Sequence, residues 1–365
     1  MTVLTVNVGS SSVRLAAYDD AGRGVAEAHH VGHELNAASL LGEFARHPGL
    51  VPISAVAHRV VHGGDKLRSS VRISADVEAQ IDRLSELAPL HNPPALRWIR
   101  ACREQFGPAM PQVAVFDTAF FAELPQVART YGLPRELSER LGLRRYGFHG
   151  LAHRYLWQRW QSSHPLPGRG RAISLQLGSG CSVAAVRDGL PLDTSMGFSP
   201  LEGLLMATRA GDLDPGLLLY LQRKEGYSPE RLEALLSQDS GLLGVSARSA
   251  DMRELLATDA AAAALAIDIF CYRARKYIGA YLAVLGGADA ILFGGGVGEH
   301  LPVIRARILN GLEWAGIVVD RALNAAAVGR EARIEVAGSP VEIAVIPVDE
   351  SAALAAEART VLGLR

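Results

Sequence analysis

Several polar side chains stand where a polar group is costly unless something satisfies it. Arg59 interrupts the apolar run of AVAHRVVHGGD (55–65), and His91 sits in APLHNPP (88–94). Asp117 lies in VFDTAF (115–120), His149 in RRYGFHG (144–150) and Arg209 in DTSMGFSPLEGLLMATRAGDLDP (193–215). An arginine inside an apolar strand has to pair with a carboxylate or a phosphate, and a ligand or a structural ion pair supplies either. A lone buried histidine is more often structural than catalytic. These groups are nevertheless of complementary type, and together they point to a site for an anionic substrate.

Glycine turns supply a second kind of chemistry. TVNVGSSSVR (5–14) and SLQLGSGCSV (174–183) each leave an apolar strand through a Gly–Ser turn, and Gly294–Gly298 follows the apolar run Ala290–Phe293. Without a Cβ, backbone N–H groups approach an anion closely. The turns Gly9–Ser12, Gly178–Gly180 and Gly294–Gly298 could grip a polyphosphate and its nucleoside, although each taken alone is more often an ordinary hairpin or helix start. None is a GxxxxGK[ST] loop or a full GxGxxG fingerprint, so the P-loop and Rossmann readings lose ground. Asn7 and Ser12 read as phosphate or metal-water ligands or as plain turn formers, and Arg14 as a phosphate contact or an exposed strand charge. His58 and His62 have a zinc-like helical spacing. Their setting reads as a strand entering a turn, where two imidazoles are poorly placed to share a metal.

The elements that position these groups follow from periodicity. Strands are expected at Val3–Val8, Val13–Tyr18, Ile173–Leu177 and Ser182–Val186, and matching Asn7 with Gln176 also matches Gly9 with Gly178 and Ser10 with Ser179. Two such hairpins half a chain apart suggest duplicated α/β halves. Helical spacing covers Ala75–Ser85 and Pro94–Glu104, and Pro111–Phe116 is a short strand ending at Asp117. Thr258–Val284 reads as one long helix with Asp259 and Asp268 on its polar positions. Ala290–Phe293 and Val341–Pro347 read as strands and Ser351–Val361 as a closing helix, while Leu166–Gly170 is a Pro/Gly-rich break. Strands alternating with helices mean a largely parallel sheet in each half.

A chain of 365 residues has room for two domains. Its net charge of −1 gives no bulk attraction to nucleic acid or anionic lipid. Cys102, Cys181 and Cys271 are far apart, which suits thiols in a reducing compartment. No basic region followed by a long apolar stretch opens the sequence, so no signal peptide is expected. The most apolar window, Ala260–Ala266, is flanked by Asp259 and Asp268, and no span of a bilayer is expected. These features predict a cytoplasmic protein.

NVGSSSVR, AHRVVHGG, APLHNPP, VAVFDTAF, RRYGFHG, the block 193–215, DMR, GGGVGE and IPVDES, in that order, resemble the motif series of the acetate kinase family. The resemblance runs from Asn7 to the C-terminal helix, and the 193–215 block is long enough to be highly specific. It implies the α/β fold of the actin, Hsp70 and sugar kinase superfamily, with duplicated ribonuclease-H-like domains and a nucleotide cleft between them. The domains would be 1–121 plus 354–365, and 122–353. The implied activity is reversible transfer of a phosphoryl group from ATP to acetate, giving acetyl phosphate and ADP, by a homodimer using Mg²⁺ or Mn²⁺. Carried over by residue, Arg59 would hold the carboxylate, Asp117 would be the acid/base residue, and His149 and Arg209 would stabilise the transferring phosphoryl group. Asn7 and Glu350 would position the metal. Val61, Leu90, Phe148 and Pro200 would wall the methyl pocket. Nucleotide would lie along Gln176, Leu177, Gly178, Ser179 and Gly180, along Asp251, Met252 and Arg253, and along Gly296, Val297, Gly298, Glu299 and His300, with Arg14 near the phosphates.

The chain also departs from the family pattern. Arg14 stands where lysine is usual, Gln176 where histidine is, and Ser179 and His300 where asparagine is. Ser351 replaces a second glutamate after Glu350, and Phe121 a histidine. The acceptor groups are intact and the phosphate-loop side chains are edited. A propionate, butyrate or pyrophosphate-dependent acyl kinase, and a nucleotide-binding homologue with impaired turnover, therefore stand as alternative expectations.

Overall fold

The computed structural model describes residues 1–9, 12–32, 35–47, 50, 52–163 and 170–364. Ser10 and Ser11 of the first glycine turn, and 166–169 of the Pro/Gly-rich break, lie outside the described residues. The chain clusters into two compact units. Unit one takes Met1–Ala122, Phe148–Leu151 and Asp349–Arg365, and unit two takes Glu123–Gly147 and Ala152–Val348. The short strip Phe148–Leu151 and the residues from Asp349 onward thus cluster with the N-terminal unit.

Unit one is built on β1 (Thr2–Val8), β2 (Ser12–Tyr18), β3 (Gly24–Val31), β4 (Ile53–Val60), β5 (Val71–Arg72) and β6 (Gln112–Phe116), in spatial order β3-β2-β1-β4-β6-β5. β1, β4 and β6 run parallel side by side, while β2, β3 and β5 are antiparallel to their neighbours. β1 is covered on both faces, so Thr2–Val6 are buried without a break, whereas β3, at the edge, has no fully buried residue. One face packs on the helix Glu350–Leu362 through Val3, Ala55, Val113, Leu354 and Ala358. The other meets the helices Ala37–Phe44 and Asn92–Phe106 through Leu4, Leu15, Leu41 and Trp98.

Unit two repeats this plan. Its strands are β7 (Arg171–Leu177), β8 (Cys181–Arg187), β9 (Leu190–Thr194), β10 (Ala290–Gly294), β11 (Ala332–Arg333) and β12 (Glu342–Val345), in order β9-β8-β7-β10-β12-β11. Every pairing direction matches its counterpart in unit one. The expected duplication is therefore one of whole sheets as well as of hairpins, and it defines the ribonuclease-H-like plan.

Two local expectations are corrected. The long helix is Ala261–Leu285, and Asp259 precedes it, because the backbone of Ala260 is still extended. Its buried face runs through Ala266, Phe270, Ala274 and Ile278, a spacing of four that keeps one side on the sheet. The glycines after β10 open a helix, Gly295–His300, and do not form a turn alone. Gly295 makes the exit possible: it sits at φ +77°, and a Cβ there would come 2.6 Å from the Leu177 carbonyl oxygen.

Candidate functional site

Parallel strands present their C-terminal ends on one edge of a sheet, where ligands of open α/β sheets bind. In unit one that edge carries Asn7 near the end of β1, Arg59 near the end of β4 and Asp117 just after β6. Asn7 and Arg59 lie one step beyond the paired residues Val6 and His58. The helix Glu350–Leu362, lying across the same strands, delivers Glu350 at its first turn, with the Asp349 side chain capping the Ala352 N–H.

Four side chains meet there. Arg59 donates from Nε to both Asp117 oxygens at 3.0 Å and from Nη2 to Oδ2 at 2.6 Å. Its Nη1 donates to Asn7 Oδ1 at 3.1 Å and lies 3.4 Å from Glu350 Oε2. Asn7 Nδ2 donates to the same Glu350 oxygen at 2.7 Å. Asp117 is 1% exposed. Burial pushes its carboxyl up, the Arg59 guanidinium pulls it back down, and the Glu350 carboxylate adds repulsion. Arg59 is itself held firmly protonated, its two carboxylate neighbours outweighing the cost of burial.

His149 reaches this edge by a close backbone approach. Gly150 donates its N–H to the Asp117 carbonyl at 3.0 Å, and a Cβ at Gly150 would come 2.1 Å from that oxygen. His149 itself adopts φ 57°, a conformation rare outside glycine. Strain of this kind persists only where the surroundings over-determine it. Two residues that sequence reasoning passed over brace the turn after β4. Asn92, fully buried, accepts the His62 N–H at 3.1 Å and returns a bond to the His62 carbonyl, and Thr118 Oγ1 accepts the Gly63 N–H at 3.0 Å. Asn92 is the residue before the two prolines of APLHNPP, which is the only signal it carried.

Of the residues in unit one expected to wall a methyl pocket, Val61 and Phe148 are buried, while Leu90 is 44% exposed on the turn leading to His91. His58 is buried and bonds Gln112 at 2.6 Å, and its burial lowers its pKa to about 4. Burial lowers His62 to about 4 as well. Among the described residues no group of three or more His, Cys, Asp or Glu side chains could hold a metal ion. Arg14, half-exposed, faces Glu27 across β2 and β3 at 3.3 Å.

Unit two carries the other predicted residues. Gln176, the last residue but one of β7, pairs opposite Gly294 of β10, and the turn Gly178–Gly180 closes by a Gly178 N–H to Gly180 carbonyl bond of 3.1 Å. Ser179 is exposed there. Leu177 and Met252 are buried at 0% and 3%, so their side chains are core. Asp251 caps the helix Met252–Leu256 and pairs with Arg253 at 2.6 Å, a contact that holds its carboxyl at about 2. In the Gly295–His300 helix, Gly296 has open space where a Cβ would be, and Val297 is half-buried and Gly298 buried. Glu299 turns back to accept the N–H groups of Gly295 at 2.8 Å and Val348 at 3.1 Å, and His300 lies over Gly329. Beneath this helix Arg305, fully buried, donates to the carbonyls of Gly298, Glu299, Asn324 and Ala327. Arg209 donates to the Pro200 carbonyl at 3.2 Å.

The sequence profile described as the Acetokinase family matches residues 21–356. An acetate kinase of Chloroherpeton thalassium is 51% identical over 312 residues, spanning 84% of this chain and 75% of that protein. The crystal structure of Porphyromonas gingivalis acetate kinase superposes with a TM-score of 0.87 at 36% identity over 99% of both chains. A propionate kinase of Francisella tularensis superposes with a TM-score of 0.90 at 34% identity over 98% of both. These similarities make the chain a phosphotransferase with a carboxyl group as acceptor. The chain belongs to the acetokinase family.

Proposed function

We propose that the four-residue cluster at the ends of β1, β4 and β6 binds the carboxylate that this kinase phosphorylates. The activity is that of an acetate kinase, and the reaction proposed in full is reversible transfer of the ATP γ-phosphoryl group to acetate, giving acetyl phosphate and ADP. One observation carries the reading: a guanidinium and a carboxylate, both largely buried, paired at the C-terminal ends of parallel strands. Arg59 offers the acetate carboxylate a fork of donors in competition with Asp117. Asp117, its carboxyl raised by burial, is placed to take or give a proton. His149 and Arg209 meet the charge on the transferring phosphoryl group, since such transfer needs positioning and charge stabilisation more than covalent help.

Asn7 Nδ2 donates to Glu350 Oε2, and each of the two side chains carries a hard oxygen that could turn to a metal ion. That donor set fits Mg²⁺, or Mn²⁺, which takes one or two protein oxygens beside substrate phosphates and keeps several waters. When bound, the ion neutralises phosphate charge. Nucleotide contacts are proposed along 176–180, 251–253 and 296–300, with the side chains of Leu177 and Met252 held in the core and Glu299 shaping its own helix. Val61 and Phe148 leave little room beside the acceptor, so acetate is expected at or above propionate, with butyrate poor.

A homodimer is proposed as the working state. The helix Pro215–Glu225 supports it: Leu217, Leu219 and Tyr220 are exposed and none of its residues is buried. A second copy of the chain is the occupant that would cover such a surface. Among the described residues no helix is long and apolar enough to cross a membrane. The three cysteines are buried free thiols, which supports a reducing, cytoplasmic setting.

A hydroxamate assay with acetate, propionate and butyrate, each against ATP and pyrophosphate, tests the proposal. Highest kcat/KM is expected for acetate with ATP. Butyrate as the best acceptor or pyrophosphate as the better donor overturns the specificity, and absence of turnover with every pair overturns the catalytic reading.

A further inference from the structure

Arg209 stands on a loop whose ends are cinched. Gly203 donates its N–H to Asp212 Oδ1 at 2.8 Å, Asp212 returns its N–H to the Gly203 carbonyl at 2.9 Å, and Tyr277 donates its hydroxyl to Asp212 Oδ2 at 2.8 Å. Within that loop the Arg209 guanidinium donates to the carbonyl of Pro200 and, at 3.7 Å, to Met206 Sδ, so the direction it points depends in part on where the turn 197–202 is held. Glu202 holds that turn. Its Oε2 accepts the Tyr131 hydroxyl at 2.6 Å, and the same hydroxyl accepts the Phe198 N–H at 2.8 Å. Its Oε1 takes a charge-assisted bond from Arg145 Nη2. The Arg145 guanidinium also lies 5.6 Å from the centre of the Tyr131 ring.

The fit is tight at this point. A Cβ on Gly197 would fall 1.7 Å from Glu202 Oε2 and 2.2 Å from the Tyr131 hydroxyl, so only glycine admits the carboxylate. The Gly197 carbonyl in turn accepts the N–H groups of Tyr146 at 3.0 Å and Gly147 at 3.2 Å. Both ends of the turn are thereby pinned to the segment Tyr131–Gly147. Nothing in the motif resemblance assigns a role to Glu202, Tyr131 or Arg145.

We propose that Glu202 is a positioning residue for the phosphoryl-transfer step: braced by Arg145 and Tyr131, it fixes the 197–202 turn and, through the Pro200 carbonyl, the direction of the Arg209 guanidinium. The inference rests on the reading of Arg209 as a phosphoryl-stabilising group. Glu202 touches no reacting atom in it, so its loss acts chiefly on kcat and leaves ATP binding nearly alone, with only a small rise in the acetate KM through Pro200, which is expected to wall the methyl pocket.

The test is a double-mutant cycle of Glu202→Gln with Arg209→Ala, with Tyr131→Phe as an independent way of loosening the same brace. Glu202→Gln should lower kcat about tenfold, the scale of losing a charge-assisted bond, with both KM values within about twofold of the parent. Tyr131→Phe should lower kcat about threefold. In the Arg209→Ala background neither change should lower kcat further, because residues acting through one group are not additive. Full kcat in folded Glu202→Gln and Tyr131→Phe, or a further loss of the same size in the Arg209→Ala background, overturns the proposal. If Arg209→Ala itself turns over like the parent, the reading of Arg209 fails and the proposal falls with it; if Arg209→Ala is impaired while the brace variants are not, the proposal alone fails.

Discussion

Arg59 and Asp117 meet as a fork and a carboxylate at the ends of adjacent parallel strands, 2.6 Å apart at their closest, and both are largely buried. On the proposed reading an incoming acetate carboxylate shares that guanidinium. Arg59→Ala should therefore raise the acetate KM by about 10- to 150-fold, the equivalent of roughly 1.5–3 kcal/mol for a hydrogen bond to a charged group. It also leaves Asp117 and Glu350 facing each other without a cation, and breaking a buried pair costs about 3–5 kcal/mol, which urea unfolding would report. An unchanged acetate KM beside a raised ATP KM would show that Arg59 does not serve the acceptor.

His149 and Arg209 are assigned to the charge on the transferring group. His149→Ala and Arg209→Ala should each lower kcat by about 10²-fold or more at saturating substrates. Parent-like turnover in either variant takes that residue out of the mechanism.

Gly150 tests how His149 is placed. A methyl group there would collide with the Asp117 carbonyl oxygen and come 2.8 Å from Phe120 Cβ. Gly150→Ala must push the chain away from Asp117, so it should destabilise the protein by about 1–3 kcal/mol and lower kcat as well. A melt and a turnover number equal to the parent's would show that this contact positions nothing.

The duplicated hairpins and the strand-end positions of Arg59 and Asp117 were legible because the signals are local. Alternating apolar residues, a Gly–Ser turn and one polar group in an apolar run all lie within ten residues of sequence. What was not legible depends on partners far along the chain. Glu202 finds Arg145 and Tyr131, Arg305 finds Asn324 and Ala327, and Asn92 finds His62, all by folding. Motif matching also located Leu177 and Met252 without revealing that their side chains point into the core. Asp259 was placed on the long helix because a helical pattern does not show where an extended residue such as Ala260 delays the start.

Three buried histidines set a pH dependence. Burial lowers His58 and His62 to about 4, and His153, bonded to Ser174 and Ser182 at 2.7 and 2.8 Å, to about 3. Above their ordinary value near 6.5 they are neutral folded and unfolded, and contribute no slope. As pH falls from about 6.5 towards 4 the unfolded chain takes up protons that the folded chain refuses, so stability drops by about 1.4 kcal/mol per pH unit for each histidine. Urea unfolding at pH 7.0, 6.0 and 5.0 should show this loss, and a flat profile would mean that these imidazoles are protonated in the folded state.

Gln176 occupies the end of β7 where the family usually has histidine. Its Oε1 is buried without a hydrogen-bond partner among the described residues, and a Cβ on Gly294 opposite would come 3.2 Å from it. An acceptor left unsatisfied costs free energy, so the amide gains when a ligand or water supplies a donor. A histidine here would instead present a ring N–H, able to carry charge, to the donor's phosphates, whereas glutamine can donate only a neutral bond. Charge-assisted bonds are roughly twice as strong as neutral ones, so the exchange forfeits about 1 kcal/mol of transition-state stabilisation, or about fivefold in rate. Arg14 is engaged with Glu27 and is not needed to account for a deficit of that size. Gln176→His should therefore raise kcat with ATP severalfold, and Gln176→Ala should lower it below the parent. Steady-state turnover of the three proteins at saturating acetate and Mg²⁺ decides the matter. If Gln176→Ala matches the parent, the side chain is a bystander and the second hairpin meets phosphate through the backbone of Gly178–Gly180 alone.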